Sequence, residues 1–203
     1  MEFRLLYQGE LESSGNKSAK DNKHKIRRAI HPQLRTLWRS RKNLQQFASS
    51  LAPRDAVQER IDAGIDSIAH RWPVGKYLFV PLITPNHAVR CSLDILLLRP
   101  EDEDNKKWIL NKGDVDGQVK TLFDALRIPT MDELPTTFVD PQPDESPFYC
   151  LLSDDRLISE VRVNADQLLL LPNKTVVDPT DSFVVIHVKL SHRYGGAVGR
   201  FFD

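Results

Sequence analysis

Two apolar segments near the middle of the sequence, 76–82 and 89–98, predict a hairpin-like pair of β-strands. Both are rich in aliphatic and aromatic residues, and the Thr-Pro-Asn-His stretch at 84–87 between them favours a turn. Alternating or continuous apolar residues predict three further strands, at 3–11, 158–163 and 183–190. A β-sheet is therefore expected to form the framework of the protein.

Helical spacing of apolar residues appears in three other segments. The first two are 31–47 and a weaker pattern at 56–70. The third follows Asp116, where apolar residues recur at i, i+3, i+4 and i+7 before Pro129, namely at Val119, Leu122, Phe123 and Leu126. Because helices and strands occur in a mixed order, the sequence predicts an α+β fold.

The length of 203 residues is enough for one hydrophobic core, so residues 1–203 are expected to form a single domain. Three segments lie outside the predicted regular structure: a basic polar loop at 12–30, an acidic, proline-rich loop at 131–147 and a flexible tail at 194–203.

The apolar runs are too short to cross a bilayer, so no membrane association is expected. The sequence begins without the features of a signal peptide, which favours a cytoplasmic location. Cys91 and Cys150 lie in apolar stretches without metal-binding spacing, and we expect both to be reduced core thiols. The six histidines show no zinc-binding spacing.

Charge is distributed unevenly along the chain although the net charge is zero. Residues 1–50 contain eleven Lys and Arg against four Asp and Glu, whereas residues 101–160 contain six against fifteen. A basic segment can neutralise phosphates while an acidic one concentrates cations, as an enzyme acting on a polyanion requires. A solvated surface loop and helix face explains the same basic residues equally well.

The segment Gly113-Asp-Val-Asp-Gly-Gln-Val-Lys120 contains two carboxylates, Asp114 and Asp116, followed by Lys120 one helical turn later. Two such carboxylates on one face can bind a hard divalent cation. Mg²⁺ needs only one or two carboxylates in addition to a substrate phosphate. An ordinary helix N-cap with an exposed ion pair is the structural alternative. A second acidic pair, Asp154-Asp155, lies between two apolar elements.

Together these motifs resemble the RusA-type Holliday-junction resolvases. The similar features are Asp-x-Asp, a lysine four residues later, Phe-Asp-Ala-Leu at 123–126, a loop, and Asp-Asp before an alternating strand. The resemblance covers about residues 110–165, with a weaker similarity at 3–17. Gly117 stands where the family carries Asn, and both the loop and the whole chain are longer than usual in the family.

The resemblance implies a mixed sheet with flanking helices, with a RusA-like core at about 76–190. It also implies a homodimeric endonuclease that cuts branched DNA with Mg²⁺, or Mn²⁺, as cofactor. It places the metal ligands, which are also catalytic, at Asp114, Asp116 and Asp155, and the catalytic lysine at Lys120. Phosphate contacts would come from the basic N-terminal region. The predicted DNA-binding residues are Lys17, Lys20, Lys23, Lys25, Arg27, Arg28 and Arg35.

Two other functions fit parts of the sequence. A DNA-binding or assembly protein of resolvase-like fold, weakly active or inactive, would need only the basic residues. Asp114-Val-Asp-Gly117 also approximates the motif of haloacid-dehalogenase-like phosphatases, in which the first Asp is a nucleophile. Those enzymes have a strand leading directly into that Asp, whereas Asn-Lys-Gly precedes it here.

Overall fold

The computed structural model describes residues 1–15, 18–56, 59–100, 114–135, 140–169, 181–192 and 199–202. Within these ranges the strands are β1 (Glu2–Glu10), β2 (Pro73–Val74), β3 (Tyr77–Ile83), β4 (Val89–Pro100), β5 (Phe148–Leu152), β6 (Ile158–Leu168) and β7 (Asp181–His192). The helices are α1 (Ala19–Ser40), α2 (Lys42–Ser50), α3 (Arg60–Ala69) and α4 (Val115–Leu126).

The larger sheet contains four strands in the order β1-β7-β4-β6. β7 pairs antiparallel with both β1 and β4, and β6 pairs parallel with β4 at the edge. Side chains alternate along β4, and its odd-numbered residues from Val89 to Arg99 are buried. The opposite face of this sheet is more exposed, which gives the alternating pattern from which the strands were predicted.

The smaller sheet has the order β2-β3-β5, and β3 pairs parallel with β5. All five residues of β5 are buried, as are six of the seven in β3. The predicted hairpin-like pairing of 76–82 with 89–98 is therefore wrong, because β3 and β4 belong to different sheets. The continuous burial of β3 agrees with a strand covered on both faces rather than a half-exposed one.

Helix α1 packs against β1, β5 and α4. It begins at Ala19, so the predicted loop at 12–30 is wrong for its second half. The physical reason is that Ile26 and Ile30 continue the buried stripe of Leu34 and Leu37 at helical spacing. The helix predicted at 31–47 is two helices, because the backbone is extended at Arg41 between α1 and α2.

Two of the segments predicted to be irregular contain ordered turns. Short 3₁₀ turns lie at Met131–Glu133 and Pro143–Glu145 within the acidic loop, and residues 136–139 lie outside the described part. Another spans Gly199–Phe202, where Phe202 is 1% exposed and its ring packs against His87. The prediction of a flexible tail is therefore wrong for Phe202, while 194–198 and 203 lie outside the described residues.

The fold class is confirmed as α+β, one domain with mixed sheets and flanking helices. One hydrophobic cluster extends from the larger sheet to α1, α2, α3 and α4, and a smaller one surrounds Tyr77 and Phe148. Cys91 and Cys150 are buried and unbridged, as expected. None of the helices in the described ranges combines the length and the apolar character needed to cross a membrane.

Candidate functional site

Asp114 and Asp116 lie on exposed surface at the start of α4. Asp114 is the residue before the helix, and its carbonyl oxygen accepts a hydrogen bond from Gln118 N–H at 3.1 Å. Asp116 lies in the first turn, where its Oδ1 accepts from Gly117 N–H at 2.8 Å. The helix start thus presents both carboxyl groups to solvent.

The two carboxyl groups form a hydrogen bond with each other. This bond raises the pKa of Asp114 above its usual value and lowers the pKa of Asp116. Two carboxylates in contact repel each other, so it is harder to ionise Asp114 beside the ionised Asp116. A divalent cation bound by both carboxylates relieves the same repulsion.

Lys120 is exposed and follows Asp116 by one helical turn. No ion pair within 4.0 Å joins it to a carboxylate of the described residues. The start of α4 therefore displays the acid pair, formed by the carboxyl groups of Asp114 and Asp116, and the ammonium group of Lys120 on exposed surface.

Gly117 makes the close packing at the start of α4 possible. The backbone N–H of Ser14 donates to Gly117 C=O at 3.1 Å, so the segment after β1 lies directly on the helix. A Cβ added at Gly117 would overlap the hydroxyl of Ser13 and lie 3.2 Å from its Cβ. This contact explains why glycine occupies the position.

A buried pair of polar side chains fixes the same turn to the larger sheet. Gln118, 2% exposed, accepts a hydrogen bond from Arg99 of β4 and donates one at 2.8 Å to the Leu11 carbonyl. Burial lowers the pKa of Arg99. The acid pair is thus held where β1 and β4 end. Sequence reasoning missed Arg99 and Gln118, although Arg99 continues the buried odd-numbered positions of β4.

Asp155 lies beside the opposite end of α4. Its Oδ2 is 3.9 Å from Nε of Arg127, the residue that follows the helix. A 12-residue helix is ~18 Å long, so the Asp155 carboxylate is about 10 Å or more from Cα of Asp114. In the described part of the chain, no three His, Cys, Asp or Glu side chains are placed to hold one metal ion.

Asp154, the neighbour of Asp155, has a local role. Its Oδ1 accepts from Arg156 N–H at 2.9 Å, and its Oδ2 is 2.7 Å from the Arg156 guanidinium. These bonds hold the pKa of Asp154 down, at about 2. The acidic pair 154–155 therefore caps a turn and contacts Arg127, and the structure does not bring it to Asp114 and Asp116.

A buried ionic network lies at the same end of α4 as Asp155. Asp124 Oδ2 is 2.6 Å from Lys23 Nζ, and Asp124 Oδ1 is 2.9 Å from Arg127. Arg127 also binds both carboxylate oxygens of Glu133, at 2.7 and 2.9 Å. Burial raises the pKa of Asp124, but the bonds to Lys23 and Arg127 outweigh it, so the net pKa lies below the usual value.

This network accounts for several of the predicted DNA-binding residues. Lys23 and Arg27 are 9% and 2% exposed, and Arg27 donates to the Asp124 carbonyl at 2.7 Å. Burial lowers the pKa of Arg27 to about 10. The prediction that these two contact DNA is wrong, because both side chains are buried inside the fold. Arg28 is half-buried and paired with Glu145.

Three of the predicted basic residues remain exposed, namely Lys20, Lys25 and Arg35, and Lys17 lies outside the described residues. Lys20 occupies the first turn of α1, next to Ser18, whose hydroxyl donates to Glu12. Because residues 12–14 also contact Gly117, the first turns of α1 and α4 adjoin the same segment. In the comparisons with known proteins, no family model, curated protein or solved structure gives a significant match.

Proposed function

We propose that the protein is a Mg²⁺-dependent endonuclease that acts on branched DNA through Asp114, Asp116 and Lys120. The placement of both carboxyl groups together on exposed surface at the start of α4, one turn before Lys120, is the observation that carries this proposal. Carboxyl groups close enough to share a proton can also share a cation. The resemblance to RusA-type resolvases supplies the reaction class.

The residues at the start of α4 fit the demands of Mg²⁺ or Mn²⁺. Magnesium retains several waters and binds through one or two carboxylates together with substrate phosphate, so two aspartates suffice. When bound, the ion would activate water and neutralise charge on the phosphate. Asp155, which the resemblance includes as a ligand, is not part of this pair.

The role proposed for Lys120 follows from its position one turn after Asp116. An ammonium group there faces the same solvent region as the carboxylates, and a point charge needs no fixed orientation to stabilise a phosphoryl oxygen. Loss of this charge would then slow cleavage more than it weakens DNA binding, because the charge on phosphate grows during the reaction.

DNA contact would come from the exposed basic residues of α1. Lys20 lies at the end of α1 that adjoins residues 12–14, and Lys25 and Arg35 lie further along the helix. Phosphate neutralisation by such side chains gives affinity without sequence preference. A homodimer is proposed with this function, because paired incisions across a four-way junction require two sites related by two-fold symmetry.

A DNA-binding protein without nuclease activity is the second candidate. It is favoured by the position of Asp155, which contacts Arg127 at the opposite end of α4 from Asp114. A nuclease that required all three acids at one metal would be inactive with this geometry. In that case the exposed lysines and Arg35 would bind DNA, and the carboxylates would only reduce its affinity.

A single cleavage assay separates these candidates. The protein is incubated with a labelled four-way junction, a linear duplex of the same sequence or an aryl phosphate, each with Mg²⁺, with Mn²⁺ or with EDTA. The proposal predicts metal-dependent incision of the junction in preference to the duplex. Binding without incision supports the second candidate, and release of phosphate from the aryl ester indicates a phosphatase.

Substitutions identify which acids are needed. Asp114→Asn and Asp116→Asn should each reduce incision at least about a hundredfold, as loss of a charged metal ligand does. Asp155→Asn should retain most activity, because its carboxylate is remote from the pair. The matched control is Asp132→Asn, which removes an equally exposed carboxylate in the turn after α4. Equal activity of all four variants would contradict the proposed site.

A further inference from the structure

The backbone that leaves β1 lies against the first turns of both α1 and α4. We call residues 10–14 the β1–α1 segment. The backbone N–H of Ser14 donates to the Gly117 carbonyl, in the first turn of α4, at 3.1 Å. The carboxylate of Glu12 accepts from the hydroxyl of Ser18, the residue before α1. The segment therefore joins the beginnings of the two helices.

Two buried side-chain amides hold three consecutive residues of this segment. Asn22 of α1 donates to the Glu10 carbonyl at 2.7 Å and accepts from Glu12 N–H at 3.2 Å. Gln118 of α4 donates to the carbonyl of Leu11, which lies between them in the sequence, at 2.8 Å. Asn22 and Gln118 are each 2% exposed. Because a buried backbone group without a partner costs free energy, the two amides fix the position of the segment.

Helices α1 and α4 run side by side in the same direction. Asn22 and Gln118 reach the same segment, and more than one turn further along both helices Arg27 contacts the Asp124 carbonyl. The acid pair at the start of α4 and Lys20 in the first turn of α1 therefore lie at the same end of the helix pair.

We propose that Asn22 and Gln118 are positioning residues of the candidate nuclease site, which hold the acid pair at a fixed place relative to the DNA-contacting end of α1. This inference rests on the proposed function, because it concerns the geometry of that reaction. Both amides are buried and bound to backbone, so they act through the β1–α1 segment and not by touching DNA. A displacement of about 1 Å between a catalytic group and its substrate can cost about a hundredfold in rate.

Gln33 provides a matched control for a purely structural role. It lies on α1 like Asn22, and its amide also bonds the backbone of β1, accepting from Leu6 N–H at 2.9 Å and donating to Leu6 C=O at 2.7 Å. It is about 16 Å further along α1 than Asn22. Loss of any of the three amides should lower stability, but only loss of Asn22 or Gln118 should affect the reaction.

The kinetic test compares Asn22→Leu, Gln118→Met and Gln33→Met. Incision of a labelled four-way junction with Mg²⁺ is measured at a temperature at which circular dichroism shows each variant to be folded. Asn22→Leu and Gln118→Met should incise at least about tenfold more slowly than wild type, and Gln33→Met should incise at the wild-type rate.

The binding steps should be unaffected by the same substitutions. The acid pair is local to α4, and the lysines that would contact phosphate have flexible side chains, so both binding steps tolerate a small displacement. The affinities of Asn22→Leu and Gln118→Met for Mg²⁺ and for the junction should change less than about twofold. Loss of Mg²⁺ affinity in parallel with the rate would overturn the positioning role, because the amides would then support metal binding itself.

Gln118→Glu keeps the test decisive if the apolar variants do not fold. Its carboxylate still accepts from Arg99, which neutralises the added charge, but it has no proton to donate to the Leu11 carbonyl. It should therefore fold and incise more slowly than wild type. A wild-type rate in this variant would overturn the proposal.

The displacement itself can be measured without DNA or metal. Nitroxide labels at Lys20→Cys and Lys120→Cys report the distance between the starts of α1 and α4 by pulsed electron paramagnetic resonance. Cys91 and Cys150 are buried and should not be labelled. Adding Asn22→Leu or Gln118→Glu should broaden or shift the distance distribution, whereas adding Gln33→Met should leave it unchanged. An unchanged distribution with the first two would overturn the proposal.

The outcomes distinguish this proposal from the proposed function. If wild-type protein incises the junction and Asn22→Leu incises equally fast, the positioning role is wrong and the nuclease assignment stands. If wild-type protein does not incise, the nuclease assignment is wrong, and the positioning role is overturned with it.

Discussion

Asp114 and Asp116 share a hydrogen bond across the first turn of α4, and the bond moves their pKa values in opposite directions. The pKa of Asp114 is raised because its protonated form donates to Asp116, and the pKa of Asp116 is lowered because its ionised form accepts. A cation bound by both carboxylates requires both of them to be ionised. Metal binding at the pair is therefore linked to pH.

Mg²⁺ affinity should increase as pH rises through the raised pKa of Asp114 and become constant above it, because binding then releases no proton. Calorimetric titration with Mg²⁺ at several pH values measures this dependence. Asp114→Asn should weaken binding and remove most of the pH dependence. Affinity that does not change with pH, or a variant that binds as wild type does, would show that the pair does not hold the ion.

Gly117 should not tolerate a side chain. Helix propensity alone favours Ala over Gly by about 1 kcal/mol, but the added Cβ overlaps Ser13, so Gly117→Ala should lower the free energy of unfolding by about 1 kcal/mol. Urea unfolding measures the change. Ser13→Gly in the same chain should relieve it. Gly15→Ala is the control, because a Cβ at Gly15 meets no atom within 4 Å. A stabilised G117A variant would show that the contact is absent.

Asp124 should be critical for stability at neutral pH. Asp124→Asn removes the carboxylate nearest to Lys23 and one of the two that bind Arg127, with Glu133 as the remaining partner, and we expect a loss of about 2 kcal/mol in the free energy of unfolding. The exposed pair formed by Arg39 and Asp62 provides the control, since Asp62→Asn should cost under about 1 kcal/mol.

The loss of unfolding free energy caused by Asp124→Asn should be smaller at acidic pH than at neutral pH. Folding lowers the pKa of Asp124. The ionised carboxylate therefore stabilises the folded protein fully at pH values above its pKa in the unfolded chain, which is about 4. This stabilisation is lost as the pH falls through the lower pKa of Asp124 in the folded protein. Denaturant unfolding at pH 7, 5 and 3 should therefore show the same difference at the first two values and a smaller one at pH 3. A difference that persists at pH 3 would contradict an ionic role.

The exposed basic residues of α1 should set the salt dependence of DNA binding. Replacing Lys20, Lys25 and Arg35 together by Ala should make the slope of log K against log salt shallower by about 3 for duplex arms. Fluorescence anisotropy at several salt concentrations measures it. Replacing Arg39, which is held by Asp62, should change the slope less. An unchanged slope in the triple variant would place the DNA contact elsewhere.

The sequence was sufficient to predict the elements whose pattern is local. β1, β4 and β7 alternate between a buried and an exposed face, and α4 has apolar residues at helical spacing, so all four were found. The first half of α1 was missed because its charges suggested solvent exposure. In fact Lys23 forms an ion pair with Asp124 and Arg27 donates to the Asp124 carbonyl, about a hundred positions later in the chain, and no local pattern reveals these contacts.

The candidate site was also predicted only in part, because only some of its residues lie close together in the sequence. Asp114, Asp116 and Lys120 lie within seven residues, so helix geometry alone places them together. The position of Asp155 depends on β5, which runs parallel to β3 and ends where Leu152 C=O accepts from Ile128 N–H, beyond the end of α4. Spacing along the sequence gives the order of these elements but not which end of the helix they reach.

The initial rate of Mg²⁺-dependent junction incision by Asp116→Asn, compared with Asp132→Asn, tests the proposed function most directly. Both variants remove one exposed aspartate, but only Asp116 belongs to the carboxyl pair. We predict a rate at least about a hundredfold lower for D116N and a wild-type rate for D132N. Equal rates, or no incision by the wild-type protein with Mg²⁺ or Mn²⁺, would contradict a nuclease site at Asp114 and Asp116.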